Sequence, residues 1–176
     1  MTNKQLQECI NKFKKNDYSC FNDFYKETSK QVYFTALGII KDSSFAEDIM
    51  QDTYISFLNT IDRFKTGNNV FGYLTVIARN KALNYLKRDK NIVFNDEILK
   101  TVSEEEFHEE ESISVEEILQ LLDKQIEREI ITYHVLLDYK FKDISKIVNK
   151  PLGTVLWIYN KAMKTLKERI GEIYEK

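Results

Sequence analysis

The chain has 176 residues, of which 43% are hydrophobic and 31% are charged, and its formal net charge is −2. This composition excludes a disordered chain, which would bury too little apolar surface to fold, and the length allows one domain or two small ones. One proline and five glycines supply few of the residues that turns favour, so we predict an all-α fold.

The sequence gives no support for a membrane-spanning protein, a metal-binding protein or an enzyme. No apolar run reaches the roughly 18 residues of a transmembrane helix, and the N-terminal segment lacks the apolar core of a signal peptide. We therefore expect a cytoplasmic protein. Cys9 and Cys20 have no metal-ligand spacing, so we predict two separate thiols, no disulfide, no metal and no cofactor. His108 and His134 form no catalytic constellation with them, so an enzyme is not expected.

The first part of the chain, residues 1–95, is predicted to be a domain of four helices. The first two lie near 3–15 and 18–41, the third begins at Ser44, and the fourth runs from about 70 to 89. Ser44 and Glu47 have the S-x-x-E spacing of a capping box, in which each residue satisfies a free N–H group of the first turn. The turn-rich segment 62–69 then ends the third helix.

The third helix carries an acidic face. No Lys or Arg lies between Lys41 and Arg63, and Asp48, Gln51 and Asp52 share one side because residues three and four apart are neighbours on a helix. A basic partner would offset the repulsion between the two carboxylates. The alternative is a solvated face without a partner, in which Glu47 acts only as a cap.

The fourth helix is basic and contains two asparagines one turn apart, Asn80 and Asn84. Basic side chains neutralise phosphates, and asparagine can read base edges. Nearby rings could stack on unpaired bases; they are Phe64, Phe71, Tyr73 and Tyr85. The alternative is a basic helix end that complements the helix dipole, with the aromatic rings in the core.

An acidic segment separates two mildly basic ends. Residues 101–117 contain eight glutamates, whose repulsion and low apolar content predict a linker. We assign 96–112 to this linker and 113–176 to a second domain of four helices. Those helices are predicted near 114–122, 125–138 and 141–148, and from Pro151 to near Tyr174.

The last two of these helices have the spacing of a helix-turn-helix, with Asn149 and Lys150 in the turn. A buried stripe is predicted along the final helix at Val155, Tyr159, Ala162 and Leu166. Trp157 points instead towards the side that would meet a DNA groove, and Lys161, Lys164 and Lys167 are placed for phosphates.

Three motifs, taken in this order, resemble those of extracytoplasmic-function (ECF) sigma factors, the small two-domain subunits of bacterial RNA polymerase. They are AEDIMQDTYISFL at Ala46–Leu58, FGYLTVIARNKALNYLKR at Phe71–Arg88 and KDISKIVNKPLGTV at Lys142–Val155. The resemblance covers the chain from about Phe21 to Arg169. It implies a factor that binds core polymerase and directs transcription from promoters, with no small-molecule substrate and with an anti-sigma factor as an expected partner.

The resemblance also implies a role for each surface. The clamp of the largest polymerase subunit would bind Asp48, Gln51 and Asp52, and the flap region would be a further contact. Single-stranded minus-ten DNA would bind Lys65, Thr66, Asn68, Asn69, Tyr73, Arg79, Asn80, Lys81, Asn84, Lys87 and Arg88. The minus-thirty-five duplex would bind Thr154, Leu156, Trp157, Asn160, Lys161 and Lys164.

The chain departs from the family after Thr154 and Val155. There the family carries Lys or Arg, then Ser, then Arg, whereas this chain has Leu156, Trp157 and Ile158. Apolar side chains can contact thymine methyl groups, which is compatible with an AT-rich element. The alternative is a sigma-like interaction module whose C-terminal domain binds protein instead of promoter DNA. An ordinary helix-turn-helix repressor is a third alternative, but it explains neither the acidic helix nor the IARN motif.

Overall fold

The computed structural model describes residues 1–65, 67–92 and 113–174, and all regular secondary structure in these ranges is helical. The predicted all-α fold is therefore confirmed. The helices are α1 (Asn3–Phe13), α2 (Phe21–Ile40), α3 (Ser43–Asn59), α4 (Val70–Ile92), α5 (Val115–Gln120), α6 (Gln125–Ile131), α7 (Phe141–Val148) and α8 (Leu152–Tyr174). The linker assigned to 96–112 and the loop residue Thr66 lie outside the described residues.

The start of α3 differs from the predicted capping box. Lys41 adopts a left-handed conformation with φ of 67° and ends α2, so the next residue, Asp42, is the first that can cap the following helix. The Asp42 carboxylate accepts a hydrogen bond of 3.0 Å from the Phe45 N–H. The prediction of a box between Ser44 and Glu47 is wrong, because Ser44 already lies inside the helix.

Replacing Asp42 with Ala is expected to lower the free energy of unfolding by about 1 kcal/mol, because the Phe45 N–H loses its acceptor. Urea denaturation followed by circular dichroism measures this change. Ser44→Ala is the matched control and should change stability by less than about 0.5 kcal/mol. A larger loss of stability in Ser44→Ala than in Asp42→Ala would show that Ser44, and not Asp42, caps α3.

The N-terminal helices enclose an aromatic core. The Phe24 and Phe57 rings stack at 5.6 Å between centroids, and Tyr54 packs among them while its hydroxyl lies 2.7 Å from the Thr28 hydroxyl. Burial raises the pKa of Tyr54 well above its usual value, so the ring stays neutral. This core fixes α3 and α4 relative to each other and so positions the predicted site residues.

The side chains of Cys9 and Cys20 form a pair at the edge of this core. Their sulfur atoms are in contact, and their Cα atoms are 6.0 Å apart, a separation within the range of disulfides. The prediction of two separate thiols is therefore wrong. The cause is the turn between α1 and α2, which folds the second helix back along the first.

The second helix of the C-terminal half is shorter than predicted. It was expected over 125–138, but α6 ends at Ile131 and a π turn follows over Thr132–Leu136. The Leu137 N–H donates to the Thr132 carbonyl at 3.1 Å, the five-residue spacing of a π turn. Asp138 then has a left-handed φ of 54°, which directs the chain into α7.

Helices from both halves of the chain share a core, which we call the seam. Ala36, Leu37 and Ile39 of α2 belong to one buried cluster with residues of the C-terminal half; these are Leu119, Leu122, Ile131, Ala162 and Leu166. Gly38 faces Thr132 so closely that a Cβ on the glycine would lie 2.5 Å from Thr132 Oγ1. The division into domains at 1–95 and 113–176 stays a prediction.

A buried cation also links the two halves of the chain at the seam. The Arg128 guanidinium donates to the Leu122 carbonyl at 2.9 Å and to the Ile39 carbonyl at 3.2 Å. Burial lowers the pKa of this guanidinium, but an arginine remains charged at neutral pH. Carbonyls at the end of α2 suit a cation, because a helix C-terminus carries partial negative charge.

Candidate functional site

The acidic face of α3 is present as predicted. Asp48, Gln51 and Asp52 are all exposed, while Ile49 and Thr53 are buried behind them. Asp52 Oδ2 lies 3.6 Å from Lys81 Nζ on α4. Because such an exposed pair is worth at most about 1 kcal/mol and is screened by salt, a partner's cation can replace the lysine at small cost.

An apolar residue on the same face was missed by sequence reasoning. Ile55 is 58% exposed and lies seven residues after Asp48 and three after Asp52, so it continues their row. Continuing the spacing from Asp48 would have found it. A partner that covers this face therefore meets carboxylates beside an isoleucine, the combination of polar rim and apolar anchor that protein interfaces use.

The loop before α4 is held from behind by α1. Gln7 donates to the Asn68 carbonyl at 2.9 Å and accepts from the Gly67 N–H at 3.1 Å. Lys14 Nζ donates to the Phe64 carbonyl at 2.6 Å. Sequence reasoning did not identify Gln7 or Lys14 as supports, because contacts so distant in sequence leave no local pattern.

Within the loop, Lys65, Asn68 and Asn69 are exposed. The Asn69 side chain also has a structural task, since its Oδ1 accepts a hydrogen bond of 3.3 Å from the Gly72 N–H at the start of α4. Gly67 adopts φ of 89°, a conformation that glycine takes without steric cost. The loop thus presents one cation and two amides on a fixed turn.

Helix α4 continues this polar surface. Asn80, Asn84, Lys87 and Arg88 are exposed, and the two asparagines are one turn apart. These four side chains, with Lys65, Asn68 and Asn69, are exposed polar residues at the start and along the length of one helix. We call this set the polar strip.

The aromatic residues near the strip are largely part of the core. Phe64 is 1% exposed, so it offers no face to a base, and the prediction that it could stack is wrong. Tyr73 is half-buried, with its centroid 5.2 Å from that of Phe64 and 6.1 Å from that of Phe57. Phe71 and Tyr85 are also half-buried, and stacking by these three rings stays a prediction.

Arg79, which was also predicted to contact minus-ten DNA, does not point into solvent as the polar strip does. Its Nε donates to Glu129 Oε2 at 2.7 Å and its Nη2 donates to Oε1 at 3.4 Å, so the guanidinium binds both oxygens of the carboxylate. Glu129 is 1% exposed and also accepts a hydrogen bond from Gln125. Burial raises the pKa of Glu129, and the Arg79 charge opposes this rise.

The helix-turn-helix forms as predicted. Helix α7 covers the residues expected, 141–148, and Asn149 takes a left-handed φ of 52° that turns the chain towards α8. The Ser145 hydroxyl donates to the Lys150 carbonyl at 2.7 Å and so closes the turn. Val155, Ala162 and Leu166 are buried and Tyr159 is half-buried, which confirms the predicted stripe. Ile158 is buried too, because it lies three residues after Val155.

The outer side of α8 is exposed. Trp157 is 64% exposed and Leu156 is 37% exposed, and Thr154 and Asn160 are exposed as well. Lys161 Nζ lies 5.6 Å from the Trp157 ring centroid and 3.7 Å from Glu127 Oε1. Lys164 is exposed and its Nζ is 3.8 Å from Glu168 Oε1. All six residues predicted for duplex contact are therefore accessible on α8.

Over the described ranges, no group of three His, Cys, Asp or Glu side chains is arranged to hold a metal ion. None of the described helices is long and apolar enough to cross a membrane.

Part of this surface also matches known proteins. Residues 24–92, which include the acidic face and the polar strip, match the family described as Sigma-70 region 2. The ECF RNA polymerase sigma factor SigW of Bacillus subtilis is 25% identical, with 96% of this chain and 98% of SigW covered. The RNA polymerase sigma-H factor of Pseudomonas aeruginosa is 20% identical over 88% of each chain.

Two solved structures share the fold. The sigma factor RpoE of Bartonella quintana, in complex with the anti-sigma factor NepR, superposes with a TM-score of 0.71 at 20% identity. That match covers 86% of this chain and 96% of RpoE. CnrH, in complex with the cytosolic domain of CnrY, gives 0.66 at 14% identity, with 94% of this chain and 97% of CnrH covered.

Proposed function

We propose that this chain, which belongs to the ECF group of the sigma-70 family, binds core RNA polymerase and directs it to promoters through minus-ten and minus-thirty-five elements. The observation that carries this proposal is the order of three exposed surfaces along one chain. They are the acidic face of α3, the polar strip of α4 with its preceding loop, and the outer side of α8.

The acidic face is the proposed polymerase contact. Asp48, Gln51 and Asp52 suit a basic surface on the clamp, and Ile55 supplies an apolar anchor beside them. Lys81 leaves Asp52 when the clamp supplies a cation, which frees the lysine for DNA. The protein performs no covalent chemistry in this proposal, because the polymerase core carries the catalytic site.

The polar strip is the proposed contact for single-stranded minus-ten DNA. Lys87 and Arg88 attract phosphates, while Asn80 and Asn84 hydrogen-bond to base edges. Arg79 joins this surface only when its bond to Glu129 opens. An anti-sigma factor is the proposed inhibitor, by analogy with NepR, the partner of RpoE.

The test is reconstitution of the full chain with bacterial core RNA polymerase, followed by run-off transcription from a pool of genomic promoter fragments. We expect discrete start sites. The double variant Asp48→Ala/Asp52→Ala should bind core about tenfold or more weakly, because two desolvated charge contacts are lost. Ile55→Ala should also weaken binding, with promoter choice unchanged.

The matched control is Glu8→Ala/Asp23→Ala, which removes two exposed carboxylates elsewhere in the same half. It should bind core as the unchanged chain does. If both double variants bind core equally weakly, the effect comes from net charge, and the acidic face is not a specific contact. A chain that does not bind core at all would overturn the proposed function.

A further inference from the structure

The start of α8 presents an apolar surface to solvent where a recognition helix would meet DNA. Leu152, Leu156 and Trp157 are 44%, 37% and 64% exposed. Trp157 lies about 160° around the helix from the fully buried Val155, so it stands near the middle of the outward side. Gly153, one turn before Trp157, has no atom within 4 Å of the position of a Cβ. Most of this surface is therefore open to solvent, although Lys161 Nζ lies 5.6 Å from the Trp157 ring centroid.

The surroundings of the apolar surface are basic. Residues 140–167 contain seven lysines and a single acidic residue, Asp143. Two carboxylates outside this range, Glu127 and Glu168, lie near Lys161 and Lys164. None of the lysines falls within the first two turns of α8, residues 152–159; they lie just before α7, on α7, in the turn and further along α8. An apolar centre with cations around it matches a groove floor flanked by phosphates. A partner protein's apolar patch would not need so much positive charge.

The chemistry of the centre restricts which bases it can face. In the major groove, guanine, adenine and cytosine present hydrogen-bonding atoms, and thymine alone adds a methyl group. The Leu156 side chain has no hydrogen-bonding group, and Trp157 has a single donor, its indole N–H. Most hydrogen-bonding atoms of a guanine, adenine or cytosine edge would therefore stay desolvated and unpaired against this centre, which is costly. The first two turns of α8 carry no arginine or lysine for a bidentate contact with guanine. Thymine, whose methyl group offers an apolar contact, is therefore the base that this centre favours.

We propose that Leu156 and Trp157, with Leu152 at their edge, read thymine methyl groups in the minus-thirty-five duplex, while Lys161 and Lys164 hold the flanking phosphates. This inference rests on the proposed function and specifies the DNA that α8 recognises. Lys161 is well placed to contact a phosphate. Its Nζ already lies over the Trp157 ring, and its ion pair with Glu127 is long, at 3.7 Å, so a phosphate can replace the glutamate.

The test removes the methyl groups and nothing else. A promoter fragment transcribed by the reconstituted holoenzyme is resynthesised with deoxyuridine in place of every thymine of the minus-thirty-five element, on both strands. We expect holoenzyme affinity to fall about fourfold for each methyl in contact, the value of burying one methyl-sized apolar group. The same replacement in a flanking upstream segment is the control and should have no effect.

The variant Trp157→Ala connects the effect to the residue. Its affinity for the normal promoter should fall, and its ratio of affinities for thymine and deoxyuridine promoters should approach one. Lys142→Ala, on the exposed side of α7, should weaken both promoters equally and keep the ratio. Because Trp157 is exposed, both variants should keep the far-ultraviolet circular dichroism of the unchanged chain.

Several outcomes would overturn the inference. These are a selected element without thymine, a promoter insensitive to deoxyuridine, or a Trp157→Ala variant that keeps the ratio. Trp157→Ala that leaves promoter use unchanged but weakens binding to core or to a co-purified inhibitor would assign the surface to protein. The absence of any discrete transcript from the unmodified pool is different, because it removes the proposed function and the inference with it.

Discussion

Arg79→Met is expected to lower the free energy of unfolding by about 3–5 kcal/mol, the usual effect of removing one partner from a buried ion pair. Glu129 is 1% exposed, so its carboxylate would remain in the seam without the cation that faces it. Methionine keeps most of the volume of the arginine stem. The decrease in the free energy of unfolding therefore reflects the missing charge and not a cavity. Urea denaturation at neutral pH measures the change.

The same variant should acquire a pH dependence of known sign. Burial already raises the pKa of Glu129, and Arg79 lowers it through its charge and hydrogen bond, so removing Arg79 raises the pKa further. The folded chain then binds more protons than the unfolded chain above the ordinary glutamate pKa of 4.5. Stability is kept below that pH and is lost as the pH rises through the raised folded-state value.

Two controls separate charge from packing at this pair. Arg88→Met removes an exposed arginine from the same helix and should change neither the stability nor its pH dependence by much. Arg79→Met/Glu129→Met replaces both charges and should recover much of the loss, because a buried pair exchanged for apolar groups is often neutral. A single-variant deficit below about 1 kcal/mol, constant with pH, would contradict the buried pairing.

Gly38→Ala is expected to lower the free energy of unfolding by about 1–3 kcal/mol through overpacking. The new Cβ would lie 2.5 Å from Thr132 Oγ1 and 3.0 Å from Thr132 Cβ. Rotation of the threonine side chain moves the oxygen but leaves its Cβ in place, so α2 and the π turn have to separate. The loss should exceed the gain in helix propensity from glycine to alanine, which is up to about 1 kcal/mol.

Gly171→Ala in α8 is the matched control, since no atom lies within 4 Å of its added Cβ. It should leave stability unchanged or raise it by up to about 1 kcal/mol. Gly38→Ala/Thr132→Ala removes Oγ1 and Cγ2 and should recover part of the loss. A stabilised Gly38→Ala variant would show that α2 and the π turn do not approach each other as described.

Local features of the fold were accessible from sequence because short-range chemistry determines them. Helix α7 was predicted over the residues where it forms, since an amphipathic run is bounded by Asn149, a residue that tolerates the left-handed turn. The acidic face was found because Asp48 and Asp52 are one turn apart in a stretch without basic residues. The start of α3 was missed by two positions, because both aspartate and serine are strong caps and only the turn at Lys41 decides between them.

Long-range pairings were not accessible in the same way. Arg79 and Glu129 are 50 residues apart, and in sequence the arginine resembles any other cation of a basic helix. Glu129 resembles any helical glutamate, and its burial follows from packing of α6 against α2. The contact of Cys9 with Cys20 depends likewise on the turn between two helices. A predicted DNA-binding residue was therefore correctly placed on α4 but was found bonded to the other half of the chain.

The seam has a consequence for every partner that needs the two halves apart. Separating them would expose Ala36, Leu37 and Ile39 to water and would release Arg79 from Glu129. Such a partner binds only the open fraction of molecules, and its apparent affinity falls in proportion to that fraction. Each 1.4 kcal/mol of seam stability therefore weakens apparent binding about tenfold. A seam variant such as Gly38→Ala holds the two halves together less strongly. Its free energy of binding to that partner becomes more favourable by the amount of seam stability that is lost.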